Sequence, residues 1–472
     1  MRVLVTGATG LIGQSLCKRL LQKKHEIIVV GRDSESQFRS RFIFPCEYYT
    51  WDNFKTSNIQ AVFHLAGESI AGARWTPKKK DAILNSRVQT TRKLVEALEG
   101  NWPRVFIGAS AIGYYGDRAH EILYEKSKMG SGFLAEVCNK WEESAEPFRR
   151  HCRVVHLRLG IVLDATGGIL ERLEKPFSVG LGGKIDKGDQ WMSWIHLEDA
   201  SRMFYYALTN PLKGVYNAVA PTPLTNTQLT QEFAHQLGVN AFLSVPRFIL
   251  KLAFGEMAQL AKSSQRVSSN KIEKSGFKFD FVDFRSALHN IYEWKQRAAE
   301  RLFKTEHWFT AEANEVFSLF RDAKNLEKIT PPWLRFKLLN QSTENIEKGT
   351  LIDYVISIRG FPIKWKTEIQ NWNPPHLFVD DQIKGPFKRW HHAHQFDPYP
   401  KGILMKDQIV YQVPFGRLGS LLIERYVRKD IMRIFAFRKQ SIDRWILANP
   451  NFQNNNNKNP SPSSHVHSPI VR

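Results

Sequence analysis

The sequence predicts an α/β fold on a doubly wound parallel sheet, followed by a smaller α+β unit. Three observations carry that prediction. Residues 1–13, MRVLVTGATGLIG, join an apolar run, Val3-Leu4-Val5, to glycines at Gly7, Gly10 and Gly13, and Leu11, Ile12, Leu16, Leu20 and Leu21 then recur at helical spacing. Apolar runs of strand length alternate with amphipathic stretches up to Trp294, the pattern of parallel strands with crossover helices. Past Gln296 the alternation stops, and aromatic-rich strands follow one another into a single long helix. At 472 residues the chain exceeds one ordinary domain.

The opening stretch has the parts of a Rossmann-type dinucleotide cradle. Gly7 allows a sharp turn, Gly10 lets the backbone approach a pyrophosphate, and Gly13 lets the helix pack on the strand. The helix start offers unpaired N–H groups and positive dipole to the phosphates. Thr6, Gly7, Thr9, Gly10, Leu11, Ile12 and Gly13 are the cofactor residues expected here.

The second strand, Glu26 to Val30, runs into Gly31-Arg32. An acid in this place binds the ribose 2′-hydroxyl of NAD, whereas an arginine suits the 2′-phosphate of NADP. Arg32 therefore favours NADP, and the adjacent Asp33 keeps NAD as the alternative. Ala61 to Gly67 reads as a buried parallel strand, and its end, Leu65, Ala66 and Gly67, lets a cofactor come close. Ser69 to Trp75 is a loop. Thr76-Pro77 reads as an N-cap and first helical residue for a helix from Lys78 to Leu98. Strands follow at Arg104 to Gly108 and Val154 to Val162.

The net charge of +21 is spread along the chain, +11 in residues 1–300 and +10 in 301–472. Nucleic-acid binding calls for a clustered stripe or tail, so no nucleic-acid partner is expected. The four cysteines, Cys17, Cys46, Cys138 and Cys152, form no CxxC pair, which fits a reducing, cytoplasmic setting. Met1 leads directly into a strand, so no cleaved leader is expected. No apolar run nears the roughly 20 residues of a membrane span. The oligomeric state is left open, a homodimer included.

TGATGLIG, HLAG, GASAIGYYG and QWMSWIH resemble the extended and atypical short-chain dehydrogenase/reductases. GARWTPKKKDAILNSRVQTTRKLVEAL and GDQWMSWIHLEDASR are similar to a bacterial epimerase-like subgroup labelled nucleoside-diphosphate-sugar epimerase. The resemblance covers residues 1 to about 295 and implies a Rossmann domain at 1–220 and a small substrate lobe at 221–296. It also implies a serine, tyrosine and lysine relay, in which the tyrosine exchanges a proton with the substrate and the lysine lowers its pKa. Ser110 matches the serine. No YxxxK follows: Leu134 stands at the tyrosine position and Cys138, a catalytic candidate, at the lysine position, while Arg87, expected to bind the cofactor, replaces a helix asparagine. Tyr114, Tyr115 and Lys140 are then the candidates for a rebuilt relay.

The stretch from Phe177 to Gln190 reads as an extended loop, Trp191 to His196 as a short strand, and Leu197 to Leu208 as a helix. The resemblance places Trp191, Ser193 and His196 on the substrate side. His196 has an acid/base reading and a commoner capping one. Val215 to Pro221 is expected to leave as a strand toward the lobe, and Thr225 to Leu237 to form a capped helix. Phe254 and Met257 read as core. Ser275 to Phe279 matches the subgroup's closing motif, and a helix from Asp283 to Trp294 ends the unit.

Beyond it, strands are expected at Gly349 to Ile358, Ile363 to Trp372, His376 to Gln382, Trp390 to Phe396 and Leu404 to Val413, then a helix from Leu418 to Leu447. This order suggests a helix-grip fold. LEKITPPWLRF, FVDDQ, GPF and WHH resemble the START-like, polyketide-cyclase-like (SRPBCC) superfamily over residues 302–447. The resemblance implies an apolar ligand between sheet and helix. Trp365, Trp372, Trp390, Phe378 and Tyr411 are candidate lining residues, and alternation predicts only half of them inside. His392 and His394 share a strand face, but Asp397 falls on the other face and no nearby cysteine or paired acid completes a metal site, so none is assigned. The 451–472 tail, rich in Asn, Ser and Pro, is expected to be disordered.

The combined expectation is an NADP-dependent oxidoreductase or epimerase of the atypical short-chain class, fused to a small-molecule-binding domain. The alternative is a non-catalytic NADP-binding sensor or scaffold with a regulatory, cell-division-inhibitor-like role.

Overall fold

The computed structural model describes residues 1–54, 58–71, 74–246, 248–249, 252, 255–295, 297–414 and 416–448. Phe254, the Met257 side chain and the 451–472 tail lie outside the described residues. The chain divides into two compact units, Met1–Arg301 and Leu302–Arg472.

In the first unit seven parallel strands make one sheet. Their order is Gly214–Ala218, Arg153–Leu159, Val105–Ala111, Ala61–His64, Arg2–Thr6, Glu26–Gly31 and Glu47–Thr50. Strand order reverses between Arg2–Thr6 and Ala61–His64, and a crevice for a ligand opens at the carboxyl ends of the strands flanking such a reversal. The central strands are largely apolar because helices cover both faces: Val3, Leu4, Val5, Ala61, Val62 and Phe63 are fully buried. The helix Pro77–Ala97 starts as the sequence predicts, with Thr76 Oγ1 accepting from the Lys79 N–H.

Two local expectations are corrected. The strand Gly214–Ala218 does not leave toward the lobe but pairs in parallel with Arg153–Leu159 at the sheet edge. The 177–190 stretch is not a continuous loop. A helix runs to Ser178, and Gly183–Ile185 pairs with Leu243–Val245. The small lobe has its own core of Leu163, Leu170, Phe177, Trp194, Phe233 and Phe284. Residues before 221 thus supply much of it.

The second unit is a seven-stranded antiparallel sheet with a helix of 33 residues, Gly416–Ala448. The sheet order is Arg301–Phe309, Gly402–Gln412, Arg389–Tyr399, Leu377–Lys384, Phe361–Asn373, Leu351–Ile358 and Lys337–Gln341. Ile431 and Phe435 of the helix join Phe303, Ile409 and Tyr411 in one core, and Ile442 joins Phe317, Phe378 and Phe396 in another. The helix therefore lies on the inner sheet face, as a helix-grip fold requires.

Candidate functional site

At the end of the strand Arg2–Thr6 the chain turns at Gly7 with φ +73°, a conformation that costs glycine little. A Cβ on Gly7 would lie 2.6 Å from the Leu65 carbonyl, and one on Gly13 only 2.2 Å from Gly7 O. The turn, the helix Leu11–Gln22 and the Leu65–Ala66 backbone are therefore as close as glycine permits. Gly10 is the helix N-cap and no side chain caps it, so the first N–H groups of Leu11, Ile12 and Gly13 lack an intrahelical partner. The Thr9 carbonyl accepts from Gln14 Nε2. These features fit a dinucleotide pyrophosphate.

The Thr6 side chain does not face that space. Its hydroxyl bonds His64 Nδ1 at 2.7 Å and accepts from the Ala66 N–H, fixing the neighbouring strand end. Arg87 donates to the carbonyls of Glu68 and Ile83 and stacks over Trp141. Its guanidinium lies beside Gly67, where a Cβ would meet it at 2.9 Å. Arg32 is 76% exposed, with one 3.5 Å ion pair to Glu68. Asp33, the residue that kept NAD open, is engaged by Arg41.

The next strand, Val105–Ala111, carries Ser110 near its end, and here the structure departs from a serine–tyrosine–lysine relay. Leu134 and Cys138 pack over Gly113, whose added Cβ would meet them at 3.4 and 3.7 Å. The Cys138 thiol is pushed up to about 11, first by burial and then by Glu142, so it is not a ready nucleophile or base. Ser110 Oγ donates to Glu142 Oε1 at 2.6 Å. Glu142 also takes Arg158 in a two-point pair, Nε to Oε1 and Nη2 to Oε2, both 2.8 Å. Burial opposes a charged Glu142, but the Arg158 bonds and charge outweigh it and hold the carboxyl below its ordinary range. Arg158 Nη1 donates to Tyr115 Oη, which donates to Asn217 Oδ1. Burial lifts the Tyr115 hydroxyl to about 12. Tyr115 is thus a buried strut rather than an acid.

Tyr114 is half-buried, with the Arg158 guanidinium 3.4 Å from its ring centre. Lys140 is exposed on the outer face of its helix and joins none of these groups. Glu142 and Arg158 were missed in the sequence. Their signal was an arginine inside an otherwise apolar strand and an acid one turn beyond Cys138.

The three expected substrate residues are largely engaged elsewhere. Ser193 is fully buried, donates to Gln265 O and accepts from the Val267 N–H. His196 Nδ1 accepts from the Glu198 N–H, capping the helix Leu197–Thr209, and the ring stacks on Phe281 at 3.9 Å. Trp191 alone keeps a partly open face, bonded to His120 and covered by Arg266.

In the second unit all five candidate lining aromatics, not half, belong to the helix-side cores or their edges. A β-bulge between Ile369 and Asn371 shifts the alternation, so Trp372 follows Trp365 and Ile369 onto one face. His392 and His394 are buried there, and folding brings two acids to them, Asp380 and Asp407.

Comparison with known proteins divides the chain in the same way. The NAD dependent epimerase/dehydratase family matches residues 3–133, a domain of unknown function (DUF1731) matches 245–291, and the Polyketide cyclase / dehydrase and lipid transport family matches 309–436. The Epimerase family protein SDR39U1 homolog, chloroplastic, of Arabidopsis thaliana is 36% identical over 307 residues, covering 62% of this chain and 87% of that protein. Epimerase family protein Mb2239 of Mycobacterium bovis is 34% identical over 289 residues, 61% of this chain and 96% of that one. Among solved structures, human epimerase family protein SDR39U1 (isoform 2) with NADPH superposes with TM-score 0.57 at 31% identity, covering 62% of this chain and all of that one. The nucleoside-diphosphate sugar epimerase of Corynebacterium glutamicum gives 0.51 at 32%, covering 63% and 59%.

Proposed function

The chain belongs, through its first unit, to the SDR39U1-like epimerase family, and from that premise we propose that it is an NADP(H)-dependent oxidoreductase or epimerase acting on a small carbonyl- or hydroxyl-bearing substrate. The observation that carries this reading is the glycine cradle of Gly7, Gly10 and Gly13 beside an exposed Arg32. The uncapped helix start would hold the pyrophosphate, and Arg32 with Arg41 would meet the 2′-phosphate. The NADPH-bound human relative supports that choice. When bound, the nicotinamide supplies a hydride donor or acceptor. The Ser110–Glu142–Arg158 network keeps the floor of the site charged, rigid and dry. Tyr114, half-buried at the end of the same strand, is the phenol available to exchange a proton with the substrate. The second unit would hold an apolar small molecule, a role supported by the matched family's description. A cytoplasmic setting belongs to the same reading, supported by four cysteines that form no disulfide.

A second reading, an NADP-binding regulator without turnover, is favoured by one observation: Leu134 and Cys138 fill the place of the tyrosine and lysine. NADPH-loaded protein mixed with a panel of aldehydes and ketones separates the two. An enzyme oxidises NADPH with at least one of them, and Tyr114→Phe slows that step by about 10²–10⁴-fold while NADPH affinity is kept. Tight NADPH binding without oxidation across the panel, and without epimerisation of nucleoside-diphosphate sugars by the NADP⁺-loaded chain, selects the regulator.

A further inference from the structure

We propose that the second unit carries a metal centre, with Asp380, His392 and His394 as ligands to one divalent transition-metal ion and Asp407 as the carboxylate that orients both imidazoles. Neither the family descriptions nor the relatives' names assign this group of residues.

The geometry starts from sheet register. His392 lies opposite Asp380 on one neighbouring strand, and His394 lies opposite Asp407 on the other. All four side chains meet on the inner face. Asp407 Oδ1 stands 3.1 Å from His392 Nε2 and 2.7 Å from His394 Nδ1. That carboxylate oxygen hydrogen-bonds His392 Nε2 and lies within ion-pair distance of His394 Nδ1, which has no hydrogen-bond partner among the described residues. The near nitrogens, His392 Nδ1 and His394 Nε2, turn toward Asp380 Oδ2 at 3.5 and 3.4 Å.

Those distances are long for hydrogen bonds. They suit a tetrahedral ion, whose ligand atoms at about 2.1 Å from the metal stand about 3.4 Å apart. With a proton on each far nitrogen, the near nitrogens present lone pairs to an ionised carboxylate, an arrangement that repels unless a cation lies between. Asp407 fills the outer-sphere carboxylate role that fixes the tautomer of a metal-bound histidine. Its Oδ2 is buried without a hydrogen-bond partner among the described residues.

Charge and surroundings agree. A divalent ion between the rings would offset the negative charge of Asp380 and Asp407 together. Phe378 stacks on His394 at 4.0 Å, and Phe435 meets His392 edge-on at 5.5 Å. The apolar wall keeps water from competing. Asp380, whose side chain is 16% exposed, marks the entry side. Two imidazoles and one carboxylate leave at least one position open, as catalytic rather than structural zinc sites do.

The test uses the full chain, stripped with chelator and titrated with Zn²⁺ by calorimetry and with Co²⁺ by absorption. One equivalent should bind, and Co²⁺ should give ligand-field bands of low coordination number. Asp407→Asn should weaken binding by about 10–100-fold, and Asp380→Asn should abolish the bands. Asp381→Asn, on the opposite face where Asp381 pairs with His391 at 2.6 Å, should change neither. Absence of stoichiometric binding and bands in the unaltered chain overturns the proposal whatever the variants do. Unchanged binding in Asp380→Asn, or equal loss in Asp381→Asn, overturns it as well.

Discussion

Glu142 and Arg158 meet in a two-point ion pair with both bonds at 2.8 Å, and the Ser110 hydroxyl closes on the same carboxylate. The arginine side chain is 4% exposed and the glutamate 10%. Neither charge can be left alone at that depth, which makes the pair a point of vulnerability as well as the floor of the site.

Glu142→Gln removes one charge and leaves Arg158 buried and uncompensated. Denaturant unfolding should show a loss of about 3–5 kcal/mol at neutral pH. Ser110→Ala removes only one donor and should cost about 1 kcal/mol, with NADPH affinity unchanged.

The same carboxyl has a pH signature. Its folded pKa lies below the ordinary value, so its contribution is complete above the unfolded pKa of about 4.3 and is lost as pH falls through the folded value. In Glu142→Gln that acid-side loss should be smaller than in the unaltered chain.

His64 and His156 act at higher pH. Burial lowers them to about 3 and about 4. As pH falls from about 6.5 the unfolded chain takes up protons that the native state refuses, so stability should drop by up to about 1.4 kcal/mol per pH unit per histidine. Neither ring nitrogen of His156 has a hydrogen-bond partner among the described residues. His156→Leu should therefore flatten the decline, read from urea midpoints between pH 7 and 5.

Gly10→Val tests the cradle without breaking it. A Cβ there would lie 3.2 Å from Gly7 O, tight but tolerable, while the valine methyls would occupy the phosphate space. Circular dichroism should stay native, and NADPH fluorescence titration should show at least a 100-fold loss of affinity, about 2.7 kcal/mol.

Much of this was legible in the sequence because it is local. Gly7, Gly10 and Gly13 lie within seven residues, and Thr76-Pro77 announces its own helix. The Ser110 network was not legible. Glu142 lies 32 residues from Ser110 and 16 from Arg158, and only the packing of a helix on the sheet brings them together. Asp380 and Asp407 reach the histidines through antiparallel register, and the bulge at Ile369 to Asn371 reverses the parity that a simple alternation would assign. The family resemblance alone places His196 and Ser193 on the substrate side. Here they satisfy backbone N–H groups that burial would otherwise leave unpaired.

The most direct test of the account is equilibrium titration of the full chain with NADPH and with NADH, alongside Arg32→Ala. One equivalent of NADPH should bind at least tenfold tighter than NADH, and Arg32→Ala should close that gap by weakening NADPH alone. Equal or tighter binding of NADH, or no binding of either nucleotide, would contradict the assignment of the cradle and of Arg32.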